Sequence, residues 1–553
     1  MNSKLLLCSA AIGLIAVSCI DDKYDLENVD TTSRVEVKDL VVPVNFDELY
    51  LSTIISLDDN SDLKIVEIDG TRYYALSRKG DFDSDNINVK QPEAKAPTLE
   101  SKKAVLESSN GVFNIPGMGN DFTFYCDDVD KAIVEIASAQ VAPLDFTVEF
   151  KTPGLSTGTY NNVRMQLPKG MTGKATNGQY DGATGIWTVT NLAVSNGYAK
   201  AVYTATSIDF TKNDFVLKNQ KFDFTSNFSI IEGELAGNAQ SVDFSADFTL
   251  SNLDVIAFSG KIEYQIEGLD ISPINLGDLP SFLQGDGTDI TLANPMICLQ
   301  TTNPVAGDKL NFSASLSMKA NRETGSTGPF DSDVFTVGHN YGENGPYNTI
   351  LSPKTPENNL IPQNFKTNYT WAQFASLGSI LAGKGLPKSI DVTVKNPMIP
   401  LQSVTNFVLG RDITGVVGSY ELFAPFAMTE GSLIHYSDIE DGWSDDFEDM
   451  TITSLTIDAT ATNNTMLDAQ LTIYPIDKTG NRIPNVELTS TLLPADAVNA
   501  PVKFVLTGTV TGLDGVEFVA DVKSKGSEIL SPDQGILFQN IRAKVNGYYQ
   551  REL

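Results

Sequence analysis

Histidine occurs only twice in 553 residues, at His339 and His435, and tryptophan three times. Histidine is the usual neutral-pH acid, base and zinc ligand. The two stand in unlike contexts, VGHNYGEN and LIHYSD, and each reads as a loop or strand position. HExxH, a nucleophile elbow and a P-loop are all missing, so the motifs of zinc peptidases, α/β-hydrolases and nucleotide hydrolases are not there. Acid pairs such as Asp445-Asp446 or Glu440-Asp441 diagnose nothing among 70 carboxylates, although glycosidases do use such pairs. The expectation is a protein that is not an enzyme.

Cysteine is scarce too: Cys8, Cys19, Cys126 and Cys298, with no CxxC, which removes thiolate metal and redox motifs. Cys126 and Cys298 fall in different expected domains. Free buried thiols are the favoured reading, with a bridge left open. Positive charge is the third shortage. Against 70 Asp and Glu stand 39 Lys and Arg, a net charge of −31 and a pI near 4.3. Phosphate backbones and anionic head groups need clustered cations, so nucleic acid is excluded as a partner.

Long hydrophobic runs are absent apart from 5–17, thirteen residues behind Lys4. A span needs about 20, so the run reads as a processing signal. It ends Ala16-Val17-Ser18-Cys19, which resembles the lipobox of bacterial lipoproteins, with Ala16 where leucine is usual. The resemblance implies removal of residues 1–18 and a mature chain starting at Cys19, its thiol carrying diacylglycerol and its amine a fatty acyl group such as palmitate. Two or more acyl chains, at about 0.8 kcal/mol per buried CH₂, anchor stably. Asp21, Asp22, Asp25 and Glu27 follow. They resemble the acidic export signal that sends Bacteroidetes lipoproteins to the outer face of the outer membrane; a solvated tether facing the periplasm is the alternative. Asp30-Thr31-Thr32 resembles a Bacteroidetes O-glycosylation acceptor.

What the chain has is β pattern. Hydrophobic residues make up 41% and charged residues 20%, a globular composition long enough for several cores. LKIVEI, Asp69-Gly70 and TRYYAL form a hairpin signal over 63–76, because Asp-Gly accepts the positive φ of a type I′ turn. Residues 91–104, proline-bearing and charged, read as a linker or short helix. From 121 to 209 short alternating strands such as TVEF, VRMQL, IWTV and AVYTAT are separated by Gly, Asn and Asp. Leu167-Pro168-Lys169-Gly170-Met171, Gly178-Gln179-Tyr180-Asp181 and Ala183-Thr184-Gly185-Ile186-Trp187-Thr188-Val189 resemble the conserved-repeat Ig-like domain of bacterial and archaeal cell-surface proteins. Thr190 departs from that family's glycine. Trp187 reads as core and Asp181 as a turn residue.

DITLANPMICLQ at 289–300 returns as DVTVKNPMIPLQ at 391–402, identical at eight of twelve positions. The shift, 391 − 289 = 102 residues, is the size of one sandwich and suggests two tandem units. The best helical pattern is at 370–383, TWAQFASLGSILAG, whose apolar spacing also suits a connecting loop. The expected fold is all-β: tandem Ig-like β-sandwich domains with an N-terminal β-hairpin segment. The divisions are 1–18 signal, 19–33 acidic tether, 34–120 N-terminal β-rich region, 121–255 Ig-like sandwich, 256–360 and 361–445 repeat units, and 446–553 C-terminal sandwich.

Two acidic stretches are candidate sites. Asp81, Asp83 and Asp85 alternate as in calcium loops. Asn86 and Pro92 stand where an EF-hand needs glycine and glutamate, so a looser, weak calcium site is the one cofactor reading. DGWSDDFEDM at 441–450 reads as a solvated loop, or as a glycan contact through Trp443. With a lipid anchor to the outer membrane, the first functional reading is a non-enzymatic surface coat or adhesive scaffold, resembling Bacteroidetes surface-layer lipoproteins. Its partners would be copies of itself or surface glycans. The alternatives are a glycan-binding lipoprotein of a polysaccharide-uptake system and a pilin-like subunit assembled by strand donation.

Overall fold

The computed structural model describes residues 32–42, 49–55, 57, 60–68, 70–285, 287–340, 345–447, 449–526 and 529–552. The signal segment, Cys19, Asp21, Asp22, Asp25, Glu27, Asp30 and Thr31 lie outside them. The described chain is nearly all strand, in several antiparallel sheets, as the alternating pattern predicts.

The hairpin forms in the expected register. Leu63–Ile68 pairs with Thr71–Asp83, Ile68 opposite Thr71, and Gly70 holds φ +80, a value glycine reaches without strain. It is not, however, part of a separate N-terminal region. Thr71–Asp83 also pairs with Val417–Pro425. The resulting six-stranded sheet runs Tyr369–Gln373, Tyr347–Ser352, Met296–Thr301, Val417–Pro425, Thr71–Asp83, Leu63–Ile68. Both faces of the hairpin strand are covered: Tyr74 and Leu76 enter one apolar cluster, Tyr73 and Ala75 another.

The stretch expected as one region, 34–120, is in fact shared among three bodies. Thr32–Val42 pairs with the last strand, Gly535–Glu552. Lys102–Ser109 and Met118–Cys126 pair with Ser241–Leu250 and Lys221–Ala236 of the Ig-like region. Within 91–104, Glu93–Ala94 pairs with Leu253–Asp254 and residues 102–104 begin the strand Lys102–Ser109, so no helix forms there. The physical reason is common to all of these. Alternation tells a strand which face to bury, but its ladder groups take whichever edge the whole chain brings to them.

The Ig-like region has an aromatic core. Phe122, Phe124, Phe224, Phe146, Phe228 and Phe248 form a chain of ring contacts with centroids 4.9–6.3 Å apart. Such pairs add about 0.5–1.5 kcal/mol each beyond area burial. Ile133–Lys151 is its central long strand, pairing with Tyr198–Asp209, Ser241–Leu250 and Leu253–Gln265.

The repeat does not mark two tandem sandwiches. Its first copy supplies Met296–Thr301 to the six-stranded sheet, while its second lies within Ser389–Val408 of a different sheet, beside Phe312–Arg322. Strands from both sides of the expected 360/361 boundary are neighbours: Met296–Thr301 pairs with Val417–Pro425. Asn396 sits at φ +48 where the register with Phe312–Arg322 shifts, so the shared Asn-Pro breaks the ladder in that copy. Side chains of the two facing sheets, among them Leu76, Leu299 and Leu422 against Leu316, Ile390 and Ile399, share one cluster. The boundary expected at 255/256 also fails to separate sheets. It falls inside Leu253–Gln265, which pairs with Ile133–Lys151 and with Ser389–Val408, making one continuous ladder of 20 strands. Of the helix expected at 370–383, one turn forms, Leu377–Leu381, preceded by the strand Tyr369–Gln373.

The C-terminal body has two six-stranded sheets. One contains Thr32–Val42, Gly535–Glu552, Met450–Asn463 and Ala500–Val510; the other contains Leu433–Glu440, Gly515–Ser524 and Leu467–Ile476. Ile457, Leu471, Val502, Phe504 and Ala520 fill the space between them. Thr32–Val42 and Leu433–Glu440 come from outside the expected 446–553.

Candidate functional site

The feature of the C-terminal body with most bearing on contacts is its outer edge. Gly535–Glu552 lies between Met450–Asn463 and Thr32–Val42, and among the described residues Thr32–Val42 is the last strand of its sheet. Its register runs from Thr32 opposite Glu552 to Val42 opposite Ala543, shifting between Val37 and Leu40. At the shift Asp39 takes φ +51 and its N–H donates to Asn546 Oδ1 at 2.7 Å. Directly opposed residues share a face. Val35 and Leu40, opposite Tyr549 and Val545, therefore look toward the core side, yet they are 60% and 43% exposed. Val37 alone of the residues from Ser33 to Val41 is half-buried, against a cluster containing Met450, Leu506 and Val545. This strand is the element that sequence reasoning missed. RVEV at 34–37 carried the alternation, but nothing local pointed to a partner some 500 positions away.

Trp443 is placed elsewhere than on a glycan platform. The ring is half-buried and packs on both apolar clusters of the C-terminal body. The Trp443 backbone N–H donates to Asp514 O at 2.6 Å, and the Ser444 backbone N–H donates to Asp514 Oδ1 at 3.0 Å, so the loop is pinned over the core. Trp443→Ala is expected to lower the stability of this body by about 2 kcal/mol, less than a fully buried tryptophan would, read by chemical denaturation.

Asp81 and Asp83 lie on the strand Thr71–Asp83, exposed on either side of buried Phe82. Their alternation is strand periodicity, so the calcium-loop reading of Asp81, Asp83 and Asp85 is corrected. Asp85 follows the strand, its N–H donating to Glu267 O. Among the described residues no group of three or more His, Cys, Asp or Glu is placed to hold a metal.

The histidines act as pins. His435 Nδ1 lies 2.7 Å from Asp521 Oδ1 across the pair Leu433–Glu440 and Gly515–Ser524, and His339 Nδ1 lies 2.7 Å from Asn311 Oδ1. Thr288 Oγ1 accepts the His435 backbone N–H at 3.2 Å while donating to Phe282 O at 2.7 Å. It is committed to structure. A cavity of about 60 Å³ nearby is lined by Leu51, Phe282, Ile434, Leu467 and Phe518 among others, apolar walls that could not orient a polar substrate.

In the Ig-like region the quoted motif builds a corner. Trp187 is fully buried, and its Nε1–H donates to Asn177 O at 2.8 Å. Tyr180 O–H donates to Pro168 O at 2.5 Å. Asp181 accepts from Ala183 N–H at 3.0 Å and from Thr184 Oγ1 at 2.7 Å, which holds its carboxyl below the usual range. These are the core and turn roles expected. Cys126 and Cys298 are both buried and free, and burial pushes the Cys298 thiol well up.

Buried charge occurs beside the hairpin. Asp62 is 2% exposed; Arg78 Nη1 reaches its Oδ1 at 3.1 Å, while Oδ2 is buried with no hydrogen-bond partner among the described residues. Burial outweighs Arg78 and raises the carboxyl above its ordinary pKa. A group whose pKa is higher folded than unfolded favours the fold at low pH, and that contribution is lost as pH rises through the folded value. Wild type should therefore lose stability relative to Asp62→Asn on going from about pH 3 to about pH 7, by about 1.4 kcal/mol for each unit of elevation. Urea titrations at stepped pH check this, and a gap that stays constant refutes it.

Neither the protein-family models nor the curated proteins contain a match to this chain. Among solved structures, a protein from Parabacteroides distasonis described as secreted aligns at 13% identity with a TM-score of 0.32, covering 53% of this chain and 88% of its own. An infectious bursal disease virus structure, Gt strain, aligns at 10% identity and a TM-score of 0.07 over 90% and 84%. Likenesses this distant carry no argument about function.

Proposed function

We propose that this chain is a non-enzymatic, lipid-anchored protein of the bacterial outer surface that associates with copies of itself in a coat or adhesive layer. The observation that weighs most is Cys19, placed after a thirteen-residue apolar run and before Asp21, Asp22, Asp25 and Glu27. The all-β bodies with committed histidines and a pinned Trp443 are consistent with a scaffold role. Labelled fatty acid should enter the full chain expressed in its host and be lost in Cys19→Ala, and protease added to intact cells should digest it. The purified mature chain should sediment as larger species with rising concentration. A strictly monomeric chain under all these conditions, or a clear saccharide hit on a glycan array, overturns the coat reading.

A further inference from the structure

Resting on the self-association reading, we propose that residues 32–42 are an exchangeable strand: the groove along 543–552 accepts this strand from a second copy of the chain as well as from its own. The intramolecular pair is the template, since Thr32–Val42 already seats there in a defined register with one bulge. A swapped pair would reproduce every one of those contacts, so exchange adds no new interface and loses none.

What distinguishes this strand from the others of its sheet is how little holds it. Between Ser33 and Val41 Val37 alone is half-buried and the rest are exposed. Among the described residues the side-chain ties are few: Arg34 stands 3.6 Å over the Tyr548 ring, the Asn546 amide oxygen accepts from Asp39 N–H, and the Lys38–Glu36 ion pair is internal to the strand. Release therefore costs mainly the ladder, and regions with few buried contacts open at low free energy. The chain has a fixed point just beyond. Leu49–Tyr50 pairs with Gly535–Ile536 at the far end of the same strand, so the segment ahead of Leu49 could leave while the body keeps its remaining pairs.

The occupant is identified by fit and by charge. In a chain of net charge −31, copies repel one another over most of their surface. The donor's Arg34 and Lys38 balance its Glu36 and Asp39, and the accepting strand carries Arg542, Lys544 and Arg551 against Glu552, so this edge is spared the repulsion between acidic surfaces. Val35 and Leu40, exposed on the core side of the edge, keep the apolar character that the groove's Tyr549 and Val545 meet.

The test traps one chain's strand in another chain's groove. Val41 and Lys544 are both exposed and directly opposed, at a separation that cross-strand disulfides bridge. The mature chain, with Cys19→Ser to remove the competing thiol, is made in two forms, one with Val41→Cys and one with Lys544→Cys. They are mixed and oxidised. A covalent species of twice the chain mass, appearing in the mixture, growing with concentration and missing from either form alone, is expected. A third form with both substitutions shows whether the bridge can close within one chain. If that form closes while the mixture yields no linked pair, strand exchange is wrong. Sedimentation of the unsubstituted chain separates the two ideas: association without linkage overturns exchange and leaves the coat reading standing, and a persistent monomer overturns both.

Discussion

Trp187→Ala is expected to lower the stability of the Ig-like region by about 3–5 kcal/mol, the range for truncating a fully buried tryptophan. The ring is sealed between two strands: Met165 opposes Trp187 on one side and Tyr180 on the other, with Tyr203 at a ring distance of 6.2 Å. Alanine would leave a void that these neighbours could not fill, because Tyr180 is tied to Pro168 and the backbone is locked into two ladders. It would also orphan the Asn177 carbonyl that the indole N–H satisfies. Trp187→Phe keeps most of the volume and loses only the hydrogen bond and part of the ring, so a smaller loss, about 1–2 kcal/mol, should follow. Against a typical domain stability of 5–15 kcal/mol, the alanine variant sits near the edge of folding. Hydrogen exchange at the peptides covering 157–209 reads the effect without relying on the fluorophore that has been removed. A loss below about 1 kcal/mol for alanine would mean the motif is not the keystone of this corner.

How far sequence reaches into this fold can be judged residue by residue. The hairpin at 63–76 and the corner at 167–189 were legible because their rules are local: a two-residue turn that needs positive φ, a tryptophan in an alternating strand, an aspartate that caps its own turn. The partnerships of those strands were not legible. The residues of Thr71–Asp83 read as a strand whether its neighbour is at residue 90 or residue 420, and only the assembled edges decide between them. The repeat misled for a related reason: closely similar sequences fit two different sheets, the first copy supplying a strand that begins after its Asn-Pro and the second a long strand that Asn396 interrupts. Asp81 and Asp83 imitated a metal loop because period two serves calcium ligands and strand faces alike. Trp443, read against five nearby carboxylates, looked like a solvent-facing ring; its burial depends on Asp514, 514 − 443 = 71 residues on, which holds the loop down. For the candidate edge, Val35 and Val37 showed a strand, and their sequence could not show that its groove lies at the other end of the chain.

A carboxylate at Ile262 should disrupt two regions at once. Ile262 is fully buried on Leu253–Gln265, opposite Ile133 on one side and Gln402 on the other, so this strand is a shared wall of the Ig-like region and the body beyond it. Ile262→Asp would place an unpaired acid among apolar side chains, at a cost expected to exceed about 4 kcal/mol. Its carboxyl would be held protonated to an unusually high pH, so the penalty should shrink as the solution is acidified through that raised value. Because the strand is hydrogen-bonded to both neighbours, exchange protection should fall together in peptides covering 133–151 and 389–408. Peptides covering 450–463 and 500–510, whose core is a separate cluster, should keep theirs. Ile256→Asp on the same strand, at a position 37% exposed, should change stability by no more than about 0.5 kcal/mol. If the charge at Ile262 loosens one side alone, the 20-stranded ladder is continuous in hydrogen bonding but not in cooperativity, and the picture of one body spanning the expected boundary at 255/256 must be given up.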